Sequence, residues 1–501
     1  MNPNMESQTD VQQTRQAGEL MKEFIDTALG FYQDIKEQDV SRQADDKVLS
    51  HLHRQGIPKV GRPVDQVYRE MLQDVYSHNT LVQHPRCFAC IPSPVSLYSW
   101  MGDIMTNAFD PHAGCHMNAS AANFIERELI QWMCGLAGYP QGSGGLFVSG
   151  GSIANLTALT AARDAKLACG ERHIAAAYVS DQTHSSVAKG LHIIGFRADQ
   201  VKKIPTGADF SMNPASLEAA VRRDLAQGQR PFVVIATAGT TNTGSIDPLP
   251  EIAAICRKYD MWMHVDGAFG ASVLLSPHYR ERLAGIEGSD SLSWDAHKWL
   301  MQTYGCSAVL VRDQSHLVRS FAVHPEYLKD AEGFSSHPDF WDLGPELTRP
   351  ARSLKLWVTL QIMGSMGMGQ MIEHGIAMAG LAEEIIGSYP DWEIVSPAKL
   401  GIVNFRYAPA GLASSRIDQI NQEIAREITD SGYAQILTTE LRGRKVLRIC
   451  TLHPDTTQED IRTTVSKLNQ TQAVLRQKCR SLNQSTVRDQ HTAAATVQVT
   501  A

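Results

Sequence analysis

The sequence predicts an α/β protein: a mostly parallel sheet with helices packed on both faces. Two observations carry this. The apolar runs at residues 174–179, 232–236, 262–265 and 307–311 are continuous rather than alternating, as strands buried on both faces are. Between and before them, residues 154–166, 185–194, 213–226 and 249–258 repeat apolar positions every three or four residues, the period of a helix with one buried face. Strand and helix in alternation favour parallel pairing with crossovers on both faces.

The other elements follow in chain order. Residues 17–38 and 63–78 read as amphipathic helices, and a Pro-rich passage at 84–94 ends that pattern. Beyond Arg352 a long helical stretch covers 354–378, and short strands are expected within 393–407 and 445–451. Past residue 480 apolar residues thin out, and a disordered tail is expected. A chain of 501 residues exceeds one ordinary core. The expected organisation is an N-terminal helical segment (1–95), a large domain (96–370), a small C-terminal α/β domain (371–480) and a tail (481–501).

Composition narrows the function. A net charge of −7 offers no basic surface for nucleic acid or an anionic membrane. The polar first residues lack a secretory h-region, and no apolar run is long enough to span a bilayer. Nine scattered cysteines argue against a disulfide framework and for a cytoplasmic protein. Cys87 and Cys90 form a C-x-x-C without a second pair, so two packed thiols are expected rather than a metal site.

The chemistry gathers at strand ends. Val148 leads to Ser149-Gly150-Gly151-Ser152, Val179 to a string ending in Thr183-His184, Ile235 to a string ending in Thr240-Thr241, and Val265 to Asp266. In open α/β sheets, ligands bind outside the carboxyl ends of strands. Lys298 stands between His297 and Trp299. A poorly solvated lysine has a lowered pKa and a nucleophilic amine. A buried Asp266 needs a cationic partner, and the protonated ring nitrogen of pyridoxal 5'-phosphate (PLP) is one. Lys298 on the aldehyde, as a Schiff base, and Asp266 on the nitrogen would then hold opposite sides of one ring. Gly150, Gly151 and Ser152 precede a helix and can supply phosphate donors, although most such turns are only caps. His184 can stack on the ring. A lone histidine is more often a satisfied core residue.

The strings Asp181-Gln182-Thr183-His184-Ser185-Ser186, His264-Val265-Asp266-Gly267-Ala268 and Asp295-Ala296-His297-Lys298-Trp299 resemble the group II PLP-dependent amino-acid decarboxylases. The resemblance implies a fold type I homodimer with a seven-stranded central sheet and active sites at the subunit interface. It implies that Lys298 carries the cofactor, Asp266 pairs with the pyridinium, Ala268 and His184 flank the ring, and His297 and Thr241 lie near the phosphate loop. The segment 85–93 resembles the substrate pocket, with Phe88, Cys90 and Pro92 as candidates. Cys87, Cys90 and Ile91 stand where aromatic-substrate members often carry aromatic residues.

The expected reaction is decarboxylation of an L-amino acid, aromatic substrates included, to an amine. The family carries a proton-returning tyrosine on a loop before Arg352-Ser353-Leu354-Lys355. Counting back from Arg352 puts Phe340 at that position, within a loop at 329–343, and leaves Tyr327 outside it. Phenylalanine has no proton to give. The alternative is therefore an aldehyde-forming oxidative deaminase, or another donor such as His337 or His184. A metal-dependent hydrolase using His112, His116, His264 and Asp266 leaves Lys298 unexplained. A non-catalytic scaffold leaves the whole Lys298/Asp266/His184 set unexplained.

Overall fold

The computed structural model describes residues 3–91, 94–323, 326 and 336–475. Helices α1 (Pro3–Gln33), α2 (Asp46–Gln55) and α3 (Val64–Glu70) open the chain. The α2 start is set by Asp45, whose carboxylate accepts from the Lys47 and Val48 amides. Next come α4 (Leu97–Phe109), α5 (Ser120–Leu136), β1 (Gly144–Val148), α6 (Gly151–Lys166), β2 (Ala175–Ser180), α7 (Ser185–Ile193) and β3 (Val201–Ile204). They are followed by α8 (Pro214–Ala226), β4 (Arg230–Thr237), α9 (Leu249–Lys258), β5 (Trp262–Asp266), β6 (Ser291–Trp294) and β7 (Ser307–Val311).

Strands β1 to β7 form one sheet in the order β1-β7-β6-β5-β4-β2-β3. Strand β7 is antiparallel to both β1 and β6, and the other pairs are parallel. Only β7 is reversed, so β1, β2, β4, β5 and β6 all end on the same edge. Alternate residues enter opposite cores. Tyr178, Ala236, Val265 and Leu310 join one apolar cluster with α5, α8 and α9; Val179, Ile235, Trp262 and Val309 join the other with α6 and α7. This two-sided burial is why the strand sequences are continuously apolar.

Two strands escape the apolar rule for different reasons. Strand β3 is at the sheet edge and carries Lys202 and Lys203, charges that discourage edge-to-edge pairing. Strand β6 is Ser-Leu-Ser-Trp yet fully buried. Its serine hydroxyls are absorbed by hydrogen bonds: Trp262 Nε1 donates to Ser291 Oγ at 2.8 Å, and Ser293 Oγ donates to Asp266 Oδ1 at 3.2 Å.

The C-terminal part adds α10 (Ser315–Phe321), α11 (Leu354–Ser388), β8 (Trp392–Lys399), β9 (Ile402–Tyr407), α12 (Ser414–Asp430), β10 (Leu437–Leu441) and β11 (Arg444–Cys450). The second sheet has the order β10-β11-β9-β8. Within α11, Gly364 has φ 71° and ψ 158°, outside the helical region, and joins two helical stretches.

The chain divides into two compact units. One holds residues up to Ala89, Tyr407–Leu447 and the chain from Arg462 onward; the other holds Cys90–Arg406 and Arg448–Ile461. The division expected in chain order gives way here, and position 370 lies inside α11. The first unit is discontinuous because the C-terminal part returns to the N-terminal segment. The Val40 amide donates to Gly432 O and the Phe88 amide to Gln435 O, and the Arg86 guanidinium lies 4.4 Å from the Tyr433 ring centroid. The expected tail, 481–501, lies outside the described residues.

Candidate active site

Every residue of the central constellation lies in the second unit, at the sheet edge where the parallel strands end. Asp266 is the last residue of β5, with Thr237 of β4 and Ser293 of β6 as its lateral neighbours. It is only 5% exposed. Asn155 Nδ2 donates to Asp266 Oδ2 at 3.1 Å, while Ser293 Oγ and the Ala268 amide each donate to Oδ1 at 3.2 Å. Both oxygens are thus satisfied, and the carboxylate is fixed in direction.

A tight turn after β6 presents Lys298. The Lys298 amide donates to Asp295 O, and the Asp295 amide donates to Ala268 O, both at 3.1 Å. Ala268 therefore links the Asp266 carboxylate to the lysine turn. Lys298 Nζ lies 3.0 Å from Asp295 Oδ2, with 19% of the lysine side chain exposed. His297 Nε2 approaches the same oxygen at 3.7 Å. Burial holds the His297 imidazole below its ordinary pKa; Asp295 opposes this and Lys298 adds to it. Asp295 Oδ1 is buried without a hydrogen-bond partner.

The Gly150-Gly151-Ser152 turn faces this group. Gly150 caps α6, whose first residue is Gly151. A Cβ on Gly151 would sit 2.7 Å from Asp295 Oδ2 and 2.9 Å from Oδ1, and one on Gly150 would sit 3.6 Å from His297 Cε1. Glycine at 151 is what allows the helix start to come this close. The first amides of a helix have no intrahelical acceptor, and Ser152 is exposed there. These donors suit a phosphate.

His184 is the N-cap of α7, and its ring Nδ1 accepts from the Ser186 amide at 3.2 Å. Ser186 Oγ lies 2.8 Å from the same nitrogen and accepts from Asn155 Nδ2 at 3.0 Å. Asn155 Oδ1 pairs with His264 Nε2 at 3.0 Å, and His264 Nδ1 pairs with Ser291 Oγ at 2.8 Å. Burial pushes His264 down to about 4 against a weaker upward pull from Asp266. Asn155, Ser186, Ser291 and Asp295 were not foreseen from sequence. The available signal for Asn155 is a polar residue inside the small apolar stripe of α6, between Ala154 and Ala158. Thr241 is half-buried in the turn after β4, where its carbonyl accepts from Arg448 Nη1 at 2.8 Å.

The pocket candidates divide. Phe88 is buried in the first unit, while Cys90 is half-buried in the second. Pro92 lies outside the described residues, and His337 is exposed. Phe340 is not a lid residue. It is 1% exposed and belongs to the core cluster with Leu146 and Leu343. The Arg127 and Arg349 guanidinium carbons lie 5.3 and 4.9 Å from its ring centroid. Arg349 is itself locked, donating to Glu126 at 2.6 Å and to Phe147 O at 2.7 Å. A ring held this way cannot carry the role that counting back from Arg352 gave it. Between β7 and Arg352 the sequence has one tyrosine, Tyr327, which lies outside the described residues.

Among the described residues, no group of three or more His, Cys, Asp or Glu could hold a metal ion. His112 Nδ1 instead lies 3.2 Å from the Asn118 amide nitrogen, and His264 is absorbed in the network above. The residues present fit PLP: a lysine amine, a fixed carboxylate and a glycine turn at a helix start, on one sheet edge.

Such a site defines a PLP-dependent enzyme. The pyridoxal-dependent decarboxylase conserved domain matches residues 48–408, and the chain belongs to that family. It is 38% identical over 456 residues to an aromatic-L-amino-acid decarboxylase of Bacillus atrophaeus, spanning 91% of this chain and 94% of the relative. It is 31% identical to a phenylacetaldehyde synthase of Arabidopsis thaliana, spanning 90% and 94%. The Oryza sativa TDC structure with PLP and tryptamine aligns with a TM-score of 0.87 at 28% identity, covering 92% of this chain and 98% of that one. The protein is a PLP-dependent carboxy-lyase that decarboxylates an amino acid.

Proposed function

We propose that the substrate is an aromatic L-amino acid and the product its amine, with Lys298 carrying the cofactor covalently. The observation that carries the site assignment is the Ala268 link, which ties Asp266 to the turn bearing Lys298. When bound, PLP supplies an electron sink for the bond to the substrate carboxylate. Gly150, Gly151, Ser152 and His297 would hold its phosphate, with Thr241 nearby. Asp266 would keep the ring nitrogen protonated, and Ala268 and His184 would pack against the ring. The aromatic substrate rests on the 38% identical relative.

The amine product rests on Tyr327. With Phe340 packed between two arginines, Tyr327 is the tyrosine left to return a proton to Cα. The aldehyde-forming reading stands second, because it rests on Phe340, which is buried in the core. A homodimer accounts for the exposed apolar side chains Met101, Met105 and Phe109 on α4 and Trp357, Ile362 and Met366 on α11. Among the described residues no cysteine is joined in a disulfide, which fits a cytoplasmic setting. Among the described residues, no helix is long and apolar enough to cross a membrane.

Two experiments test this. Borohydride should fix PLP to Lys298 in the wild type, located by peptide mass, and Lys298→Ala should lose both attachment and turnover. Attachment at another lysine refutes the assignment. Product analysis with aromatic amino acids, with oxygen uptake followed in parallel, should give amine without peroxide. Tyr327→Phe should divert turnover toward aldehyde and peroxide, while Phe340→Tyr leaves the product unchanged. Peroxide from the wild type that falls in Phe340→Tyr would restore the aldehyde reading.

A further inference from the structure

We propose that Asn155 is a positioning residue that fixes two groups at once: the direction of the Asp266 carboxylate and the tautomer of His184. This rests on the reading of Asp266 and His184 as cofactor-facing residues.

Both Asp266 oxygens accept. An Asn155 carbonyl turned toward Asp266 would repel it, so Asn155 presents Nδ2 there, at 3.1 Å. Its carbonyl oxygen then faces His264 Nε2 at 3.0 Å, and that nitrogen must carry a proton. His264 is buried and held neutral, so its Nδ1 is bare and takes the Ser291 hydroxyl proton at 2.8 Å. Ser291 Oγ in turn accepts from Trp262 Nε1, a group that can only donate. Asp266 thus sets the orientation of the Asn155 amide, and the His264 tautomer follows from it.

The second Nδ2 proton goes to Ser186 Oγ at 3.0 Å. Ser186 must then send its own hydroxyl proton elsewhere, and His184 Nδ1 is 2.8 Å away. The Ser186 backbone amide, also only a donor, points at the same nitrogen at 3.2 Å. With two donors aimed at it, Nδ1 of His184 carries no proton. The His184 proton therefore sits on Nε2, the nitrogen left for cofactor and substrate. Asn155 is the one residue shared by the Asp266 arm and the His184 arm, and Ser186 belongs only to the second.

That branching gives a test that a merely structural role would not reproduce. Asn155→Leu removes both donors at similar volume; Asn155→Asp keeps the acceptor for His264 and replaces the donors with charge, and serves if the first variant does not fold. Either should weaken PLP binding to the apoenzyme at least about tenfold and lower kcat at least about tenfold, with KM little changed. Ser186→Ala should lower kcat about tenfold and leave PLP affinity within about twofold, and Ser186→Thr should restore kcat. In the double variant Asn155→Leu/Ser186→Ala, kcat should fall less than about threefold below Asn155→Leu alone, because the His184 arm is already broken. Full multiplication of the two losses, or wild-type PLP affinity in both Asn155 variants, would overturn the inference. If Lys298→Ala and Asp266→Asn retain activity, it is the site assignment that fails; if they lose it while the Asn155 variants do not, only this inference fails.

Discussion

Asp266 and Asp295 stand at the ends of adjacent strands, both almost fully buried, and the fold treats them oppositely. Asp266 receives three donors, from Asn155, Ser293 and the Ala268 amide, and both its oxygens are committed. Asp295 spends one oxygen on Lys298 and His297 and leaves the other without a partner. The first is a finished electrostatic element, built before any ligand arrives. The second is provisional, because its main partner is Lys298, the amine proposed to carry the cofactor. A pre-built carboxylate should control reaction rate, and a provisional one should control cofactor loading.

The largest expected effect comes from the finished side. Asp266→Asn removes the charge proposed to keep the ring nitrogen protonated and turns an amide toward existing donors. We expect kcat to fall on the order of 10²–10³, as when a single pre-aligned electrostatic group is lost, with a much smaller change in KM. Steady-state kinetics at saturating PLP decides it. A variant within a few-fold of wild-type kcat would mean that Asp266 is an ordinary core carboxylate, no different in kind from Asp295.

A second test concerns pH and the support behind Asp266. Burial depresses His264 to about 4 from an ordinary value of 6.5. A base depressed in the folded state takes up protons preferentially when unfolded. Its contribution to stability is therefore complete above about pH 6.5 and is lost as pH falls toward 4, up to about 3 kcal/mol at 1.36 kcal/mol per unit. His264→Gln can still donate to Asn155 but does not titrate. Unfolding midpoints measured at pH 7 and pH 5 should drop less in the variant than in the wild type. An equal drop would show that His264 is not held neutral and that the network behind Asp266 is open to protonation.

How much of this was legible in the sequence follows the same division. Strands β2, β4, β5 and β7 declared themselves because burial on two faces leaves them almost wholly apolar inside, His264 of β5 being the exception. Lys298, Asp266 and His184 declared themselves because a lysine or carboxylate at the end of an apolar run needs an explanation. Strand β6 did not, since Ser291 and Ser293 look like loop residues until Trp262, His264 and Asp266 are seen to take up their hydroxyls. Asn155 looked like one polar residue in a helix, because its partners come from three other segments. Phe340 was misplaced for a related reason: counting along the chain does not reveal that Arg127 and Arg349 close over its ring. The discontinuous first unit was hidden likewise, since nothing local pairs Arg86 with Tyr433.

The smallest effect is expected on the provisional side, and its sign is the informative part. Asp295→Asn keeps the shape of the side chain beside Gly151. It removes a negative charge from the turn proposed to hold the phosphate and supplies an N–H in its place. It also deprives Lys298 of its ion-pair partner in the unloaded protein, which raises the free energy of that state. Both changes favour the loaded form, so the variant should bind PLP more tightly, by about five- to tenfold for one net hydrogen bond of about 1 kcal/mol. Turnover at saturating PLP should change far less than in Asp266→Asn. Fluorescence titration of the apoenzyme with PLP measures the affinity directly. Weaker binding would show that the Asp295 carboxylate is needed in the loaded state, and the contrast between the two carboxylates would collapse into a single preformed site.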